Sequence, residues 1–152
     1  MNKKILSLSI LALTFISQNS FANDFDEKIH VKAMGLFSTG GGDNAMGAGI
    51  NSALILGSGL TIDASYLITY FNPMSSVFTF GPGYTVQKDA LSLRPKIFLG
   101  VGSVDFSIGA GVEIDYEVAD NLTVGIGTQF VKSFEDNAST LFVQSLGLGL
   151  LF

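Results

Sequence analysis

The residues that could do chemistry in this chain fall on a two-residue rhythm. His30 and Lys32 form one pair, Arg94 and Lys96 another, and Glu113, Asp115 and Glu117 a third set, with Asp63 standing apart. Two carboxylates on one strand face, such as Glu113 and Asp115, have the spacing of a general acid and base. Cations at Arg94 and Lys96 argue instead for ion pairing with them. A hydrolytic triad would need His30 beside a hydroxyl and an acid. The chain has one His and no Cys, which removes most His-based metal sites, Cys-ligated zinc and thiol nucleophiles. Neither a metal nor a cofactor is expected. The run Gly40-Gly41-Gly42-Asp43-Asn44 lacks the Lys-Ser/Thr and following helix of a phosphate loop, and reads as a connecting loop. Asp24, Asp26 and Glu27 read as a solvated acidic start rather than a cation site.

The spacing of two says what positions these groups. Successive side chains of a β-strand point to opposite faces. From Phe106 to Val118 the even positions are Phe, Ile, Ala, Val, Ile, Tyr and Val, and the odd ones are Ser, Gly, Gly, Glu, Asp and Glu. The same alternation sets Leu60, Ile62, Ala64, Tyr66, Ile68 and Tyr70 against Thr61, Asp63, Ser65 and Thr69. It sets Leu91, Leu93, Pro95, Ile97, Leu99 and Val101 against Ser92, Arg94, Lys96 and Gly100. Phe78, Phe80, Pro82, Tyr84 and Val86 oppose Thr79, Gly81, Gly83 and Thr85, and Leu122, Val124, Ile126 and Phe130 oppose Thr123, Gly125, Gly127 and Gln129. The first strand begins with Ile29, Val31 and Ala33 against His30 and Lys32, but parity blurs from Met34 to Phe37, which suggests a bulge. Turn-like clusters at Thr39–Asn44, Gly57–Gly59, Asn72–Ser76, Lys88–Ala90, Gly102–Val104, Ala119–Asn121 and Glu135–Ser139 divide the chain into eight such segments. The fold expected is all-β: an eight-stranded antiparallel up-and-down barrel.

Composition decides which face is outside. Hydrophobic residues are 47% and charged residues 14% of the 152, against about 25% charged in an ordinary soluble domain. The net charge of −5 argues against a nucleic-acid binder, and no nucleic-acid partner is expected. The polar faces are largely Gly, Ser and Thr, a poor solubilising surface. The apolar faces carry more bulk than the interior of an eight-stranded barrel holds. Turned outward, the apolar face meets lipid and the small polar face fills the lumen, the pattern of a transmembrane β-barrel. Met1–Ala22 supports export: Lys3 and Lys4 precede an apolar run from Ile5 to Ile16, and Ser20-Phe21-Ala22 ends it with small residues at −3 and −1. The expected division is therefore a signal peptide at 1–22 and a barrel at 23–152, destined for the cell outer membrane.

With the amino terminus in the periplasm, outward aromatics form two belts. Phe37, Tyr70, Phe78, Phe106, Phe134 and Phe142 lie near the outer rim, and Tyr84, Tyr116 and Phe152 near the periplasmic one. The inward charges His30, Lys32, Asp63, Arg94, Lys96, Glu113, Asp115 and Glu117 all fall in the lower half, where a mutual ion-pair network is expected. Gly125, Gly127, Gly147 and Gly149 would leave room for Arg94 and Lys96. In the upper half, inward Gly47, Gly49, Gly100, Gly102, Gly109 and Gly111 add no side-chain volume, so a charged plug below an open vestibule is expected.

The last strand, TLFVQSLGLGLLF from Thr140 to Phe152, ends on an aromatic with Leu150, Leu148, Leu146 and Phe142 on the same face. It resembles the carboxy-terminal signature of bacterial outer-membrane barrels. Gly109–Phe130, GAGVEIDYEVADNLTVGIGTQF, resembles the late hairpin of the small-barrel superfamily of OmpA/OmpX type, described as porin family; within it a YfaZ-like assignment is left open. The resemblance implies an integral outer-membrane barrel of a Gram-negative cell. Its partners would be outer-membrane lipid and, during insertion, the barrel-assembly machinery reading Phe152. The function expected is porin-like or structural, with at most a narrow pore and no enzymatic activity. The alternative is a surface interaction or adhesion barrel acting through its external loops, which are short here.

Overall fold

The protein is described by a computed structural model that covers residues 27–40, 43–69, 75–102, 105–134 and 140–152. The expected signal segment, Tyr70 and the first glycine-rich loop at 41–42 lie outside these residues. The strands are β1 (Lys28–Gly40), β2 (Asp43–Ile55), β3 (Leu60–Thr69), β4 (Ser75–Tyr84), β5 (Val86–Lys88), β6 (Leu91–Gly102), β7 (Asp105–Ala119), β8 (Leu122–Ser133) and β9 (Thr140–Leu151). All pairings are antiparallel. Each strand pairs with its sequence neighbour except β4 and β5, which both pair with β6, and β1 pairs with β9, so the sheet closes on itself. β4 and β5 are one strand interrupted at Thr85. Gly83 opposes Lys96 and Val86 opposes Leu93, the same offset along β6. The barrel is therefore eight-stranded, and closure leaves no unpaired sheet edge.

One end of the barrel holds Phe152, the start of β1 and the tight connections; it is called the terminus end here. Its turns use residues that tolerate left-handed backbone: Gly59 (φ 82°), Asp89 (φ 53°) and Asn121 (φ 64°). At the last, the β7–β8 register shifts between Glu117 and Ala119, as in a hairpin whose left-handed residue adds a bulge. The connections at the opposite end, the loop end, fall at 41–42, 70–74, 103–104 and 135–139.

The outward face is apolar and exposed. Ile50, Phe80, Ile97, Leu99, Ile126, Phe130, Leu146 and Leu148 are each at least half accessible. In a soluble protein so large a continuous apolar surface would be a liability. Phe106 and Phe134 meet near the loop end with ring centroids 5.8 Å apart, and Phe130 and Phe142 meet at 4.9 Å.

The bulge expected at Met34–Phe37 is absent. β1 keeps one register with β2 from Lys28↔Ile55 to Gly40↔Asp43, and with β9 from His30↔Leu151 to Thr39↔Phe142. Parity looked blurred because Met34 and Leu36 are apolar residues on the inward face, both 4% exposed.

Candidate functional site in the barrel lumen

The inward face carries the ionisable residues into one cluster. Lys32 on β1, Asp63 on β3, Arg94 and Lys96 on β6, and Glu113 and Asp115 on β7 are all buried. Glu113 is the hub. Its Oε2 accepts from Lys32 Nζ at 2.7 Å and from Arg94 Nη2 at 2.6 Å, and its Oε1 from Lys96 Nζ at 2.5 Å. Asp115 takes a second bond from Lys32 Nζ at 2.9 Å. Asp63 lies 3.6 Å from Lys96 Nζ and 3.4 Å from Arg94 Nε. The Arg94 Nε contact is an ion pair without hydrogen-bond geometry, since that nitrogen has no bonded partner. Three cations meet three carboxylates, so the cluster is neutral with His30 uncharged. Removing such charges from water costs several kcal/mol each, and only this mutual satisfaction offsets it. Asn51 and Thr61 complete the shell. Asn51 Oδ1 accepts from Arg94 Nη2 at 3.3 Å, its Nδ2 donates to Ser65 Oγ at 2.9 Å, and Thr61 Oγ1 donates to Asp63 Oδ2 at 2.8 Å.

His30 adjoins this cluster in an arrangement the sequence did not reveal. Its Nε2 is 2.8 Å from Thr123 Oγ1, and its Nδ1 is 4.0 Å from Asp115 Oδ2 and 3.3 Å from Arg94 Nη1. Hydroxyl, imidazole and carboxylate thus stand in the order of a triad. The tautomer is wrong for one. A guanidinium only donates, so Nδ1 must accept from Arg94. The ring proton is then on Nε2, which donates to Thr123 and cannot take its proton.

Glu117 is not part of the network. It lies at the terminus-end mouth, half-buried, where its Oε1 accepts from the backbone N–H of Asn121 at 3.2 Å and supports the β7–β8 turn. The bulge between Glu117 and Ala119 places it at the rim. A cavity of about 30 Å³ at this mouth is bordered by His30, Thr85, Arg94, Asp115, Glu117 and Thr123, among others. That is space for a water or two.

The glycines of β8 and β9 do make room, but for other side chains than expected. A Cβ at Gly125 would collide with the Asp115 carboxylate, and one at Gly149 with His30 Nε2 and Thr123 Oγ1. At Gly127 it would meet Ser145 Oγ at 2.5 Å and Glu113 Cγ at 3.3 Å, and at Gly147 it would meet Lys32 Cγ at 3.0 Å. The glycines cradle Asp115, His30, Glu113 and Lys32. Arg94 and Lys96, the residues expected there, come from β6 on the other side of their carboxylate partners.

The open vestibule is replaced by an apolar cluster. Met34, Leu36, Leu67, Phe98, Val131 and Val143 pack together inside the barrel, each at most 8% exposed, with Val77 and Leu141 against them. They lie on the loop-end side of the charge network. The inward glycines at this level are occupied by neighbours: the Phe98 ring fills the space beside Gly109, the Leu67 side chain that beside Gly49, and Gln129 that beside Gly111. The signal was available in the sequence. Each of the six sits at an inward parity position and each is apolar, so they depart from the alternation at one height. Among the described residues no group of three or more His, Cys, Asp or Glu is arranged to hold a metal ion.

No protein-family model and no curated protein matches the chain. Solved structures do. The chain is similar to a de novo designed transmembrane β-barrel, with TM-score 0.61 and 14% identity over 81% of this chain and 95% of the other. It is similar to Ail, the attachment invasion locus protein of Yersinia pestis, with TM-score 0.59 and 12% identity over 83% and 97%. It is also similar to the outer membrane enzyme PagL, with TM-score 0.57 and 12% identity over 78% and 98%. The fold is that of the small eight-stranded outer-membrane barrels. An attachment protein and an enzyme share it, so the fold alone does not give the function.

Proposed function

We propose that this protein is an integral barrel of the Gram-negative outer membrane with a structural role and a closed lumen. It is exported on Met1–Ala22 and inserted by the barrel-assembly machinery through the strand ending in Phe152. The observation that carries this reading is the two-layer filling of the interior. A neutral network around Glu113 occupies the terminus-end half, and six apolar side chains from Met34 to Val143 lie on its loop-end side. An ion entering from the loop end would have to lose its hydration shell against hydrocarbon side chains. An ion entering from the terminus end meets charges already paired. Catalysis is not part of the reading: the His30 tautomer opposes proton abstraction from Thr123, and the adjoining cavity admits water but no organic substrate.

The test is electrical. Protein purified from outer membranes of a Gram-negative host is reconstituted in a planar bilayer. Insertion without current steps is expected. Discrete, salt-dependent steps that change with Arg94→Ala would instead make the protein a narrow pore with the charge cluster as its filter.

A further inference from the structure

Among the described residues the wall of the barrel has a weak seam between β4 and β6. β6 and β7 pair at every position from Leu91↔Tyr116 to Gly102↔Asp105, and β3 and β4 at every position from Leu60↔Tyr84 to Thr69↔Ser75. Between β4 and β6, Val77–Phe80 pair with Gly102–Leu99, and the ladder then lapses until Gly83↔Lys96. Two prolines account for this. Thr85 donates its N–H to Gly59 O beside β3; its parity sends odd-numbered amides of β4 toward β3 and even-numbered ones toward β6. Pro82 is therefore among the residues facing β6, where it has no N–H to give Ile97. By the offset of the flanking pairs, Pro95 opposes Tyr84 and likewise has none to give. Two adjacent rungs of one strand pair each lack a donor. The strands also crowd here: a Cβ on Gly81 would strike the Ile97 carbonyl and come within 2.6 Å of Phe98 Cα.

Over this gap, on the outward face, lies a shallow groove of about 400 Å³. Pro82, Tyr84, Pro95, Ile97 and Ala110 wall it, and Lys96, whose side chain belongs to the lumen network, borders it. The groove lies toward the terminus end, since Tyr84 ends β4 and Pro95 is near the start of β6.

We propose that this seam is a lipid site, in which one acyl chain of a phospholipid from the periplasm-facing leaflet lies in the groove between Pro82 and Ala110. The proposal rests on the outer-membrane reading. In that setting hydrocarbon is what meets the outward wall, and the leaflet follows from the groove's place near the terminus end. An ordered chain there fills the recess that the prolines create and shields backbone carbonyls left without a donor from competing partners.

The full-length protein, expressed and processed in its host membrane, is reconstituted in phosphatidylcholine vesicles containing a small fraction of phospholipid with a diazirine on the acyl chain. After irradiation the adducts are mapped by mass spectrometry. Adducts at Tyr84, Ile97 and Ala110 are expected several-fold above those at Ile126 and Leu146, outward residues of β8 and β9. Ala110→Phe, or the milder Ala110→Leu, fills the groove without touching a proline and should abolish the excess in a barrel of unchanged circular dichroism. Even labelling around the wall, an excess that survives both substitutions, or chain-to-chain crosslinks through the groove would overturn the lipid site while leaving the membrane reading intact. Protein that fails to float with the vesicles would overturn the membrane reading itself.

Discussion

At the scale of single residues, Glu113 matters most because three cations converge on it. Glu113→Gln leaves Lys32, Lys96 and Arg94 sharing the carboxylates of Asp63 and Asp115. Breaking a buried pair from one side costs about 3–5 kcal/mol, and a loss of that order is expected in urea unfolding of the vesicle-inserted barrel. Lys32→Met in the same background should cost much less than it does alone, because it removes a charge that has already lost a partner; a double-mutant cycle reads this coupling. The glycines give a second contrast. Gly125→Ala drives a methyl into the Asp115 carboxylate, whereas the nearest atom to a Cβ at Gly35 is the Leu146 carbonyl oxygen at 3.9 Å. Gly125→Ala should destabilise by about 1–3 kcal/mol and Gly35→Ala by less than about 0.5 kcal/mol, measured by the same unfolding midpoints.

At the scale of elements, β1, β3 and β6 each carry two kinds of inward residue at two heights. β1 presents His30 and Lys32 to the charge layer and Met34 and Leu36 to the apolar layer; β6 presents Arg94 and Lys96, then Phe98. This division explains why the strands look imperfectly alternating when read singly. Phe98 is the largest member of the apolar layer and fills the space beside Gly109. Phe98→Ala should cost about 3–5 kcal/mol through the cavity it leaves. It should also thin the seal, so that small current steps appear in the planar bilayer where the parent protein is silent. A destabilised but silent Phe98→Ala barrel would assign the seal to the remaining side chains.

At the scale of the whole molecule, closure joins β1 to β9 and makes the last strand integral to the wall. Ile29 and Phe152 exchange backbone hydrogen bonds at 3.1 and 2.9 Å, while the Phe152 side chain is 71% exposed on the outside. The backbone of Phe152 thus serves the finished barrel while its ring makes little contact with it, so the proposed assembly signal and the stability of the wall are separable. Phe152→Ala is expected to lower the amount of barrel assembled in cells severalfold while shifting equilibrium stability by less than about 0.5 kcal/mol. Quantitative blots of outer-membrane fractions, set beside unfolding curves of refolded protein, separate the two effects.

The wall was legible in the sequence. A strand's side chains alternate with a period of two whatever surrounds it, so the outward apolar face, the inward charges and the terminus-end turns all follow from local pattern. Six of the eight inward charges named from that pattern meet in one network, with His30 at its edge and Glu117 apart at the mouth. Which inward residues meet one another across the lumen did not follow. Alternation places a side chain inside but not opposite any particular neighbour; that depends on the register of all eight strands once the sheet has closed. Hairpin register alone sets Gly125 opposite Asp115 and Gly109 opposite Phe98, but only closure decides that Lys32 on β1 reaches Glu113 on β7 and that six scattered apolar residues form one cluster. The physical reason is range: strand parity is set by adjacent residues, whereas lumen packing is set by residues far apart in the chain that meet only across the finished barrel.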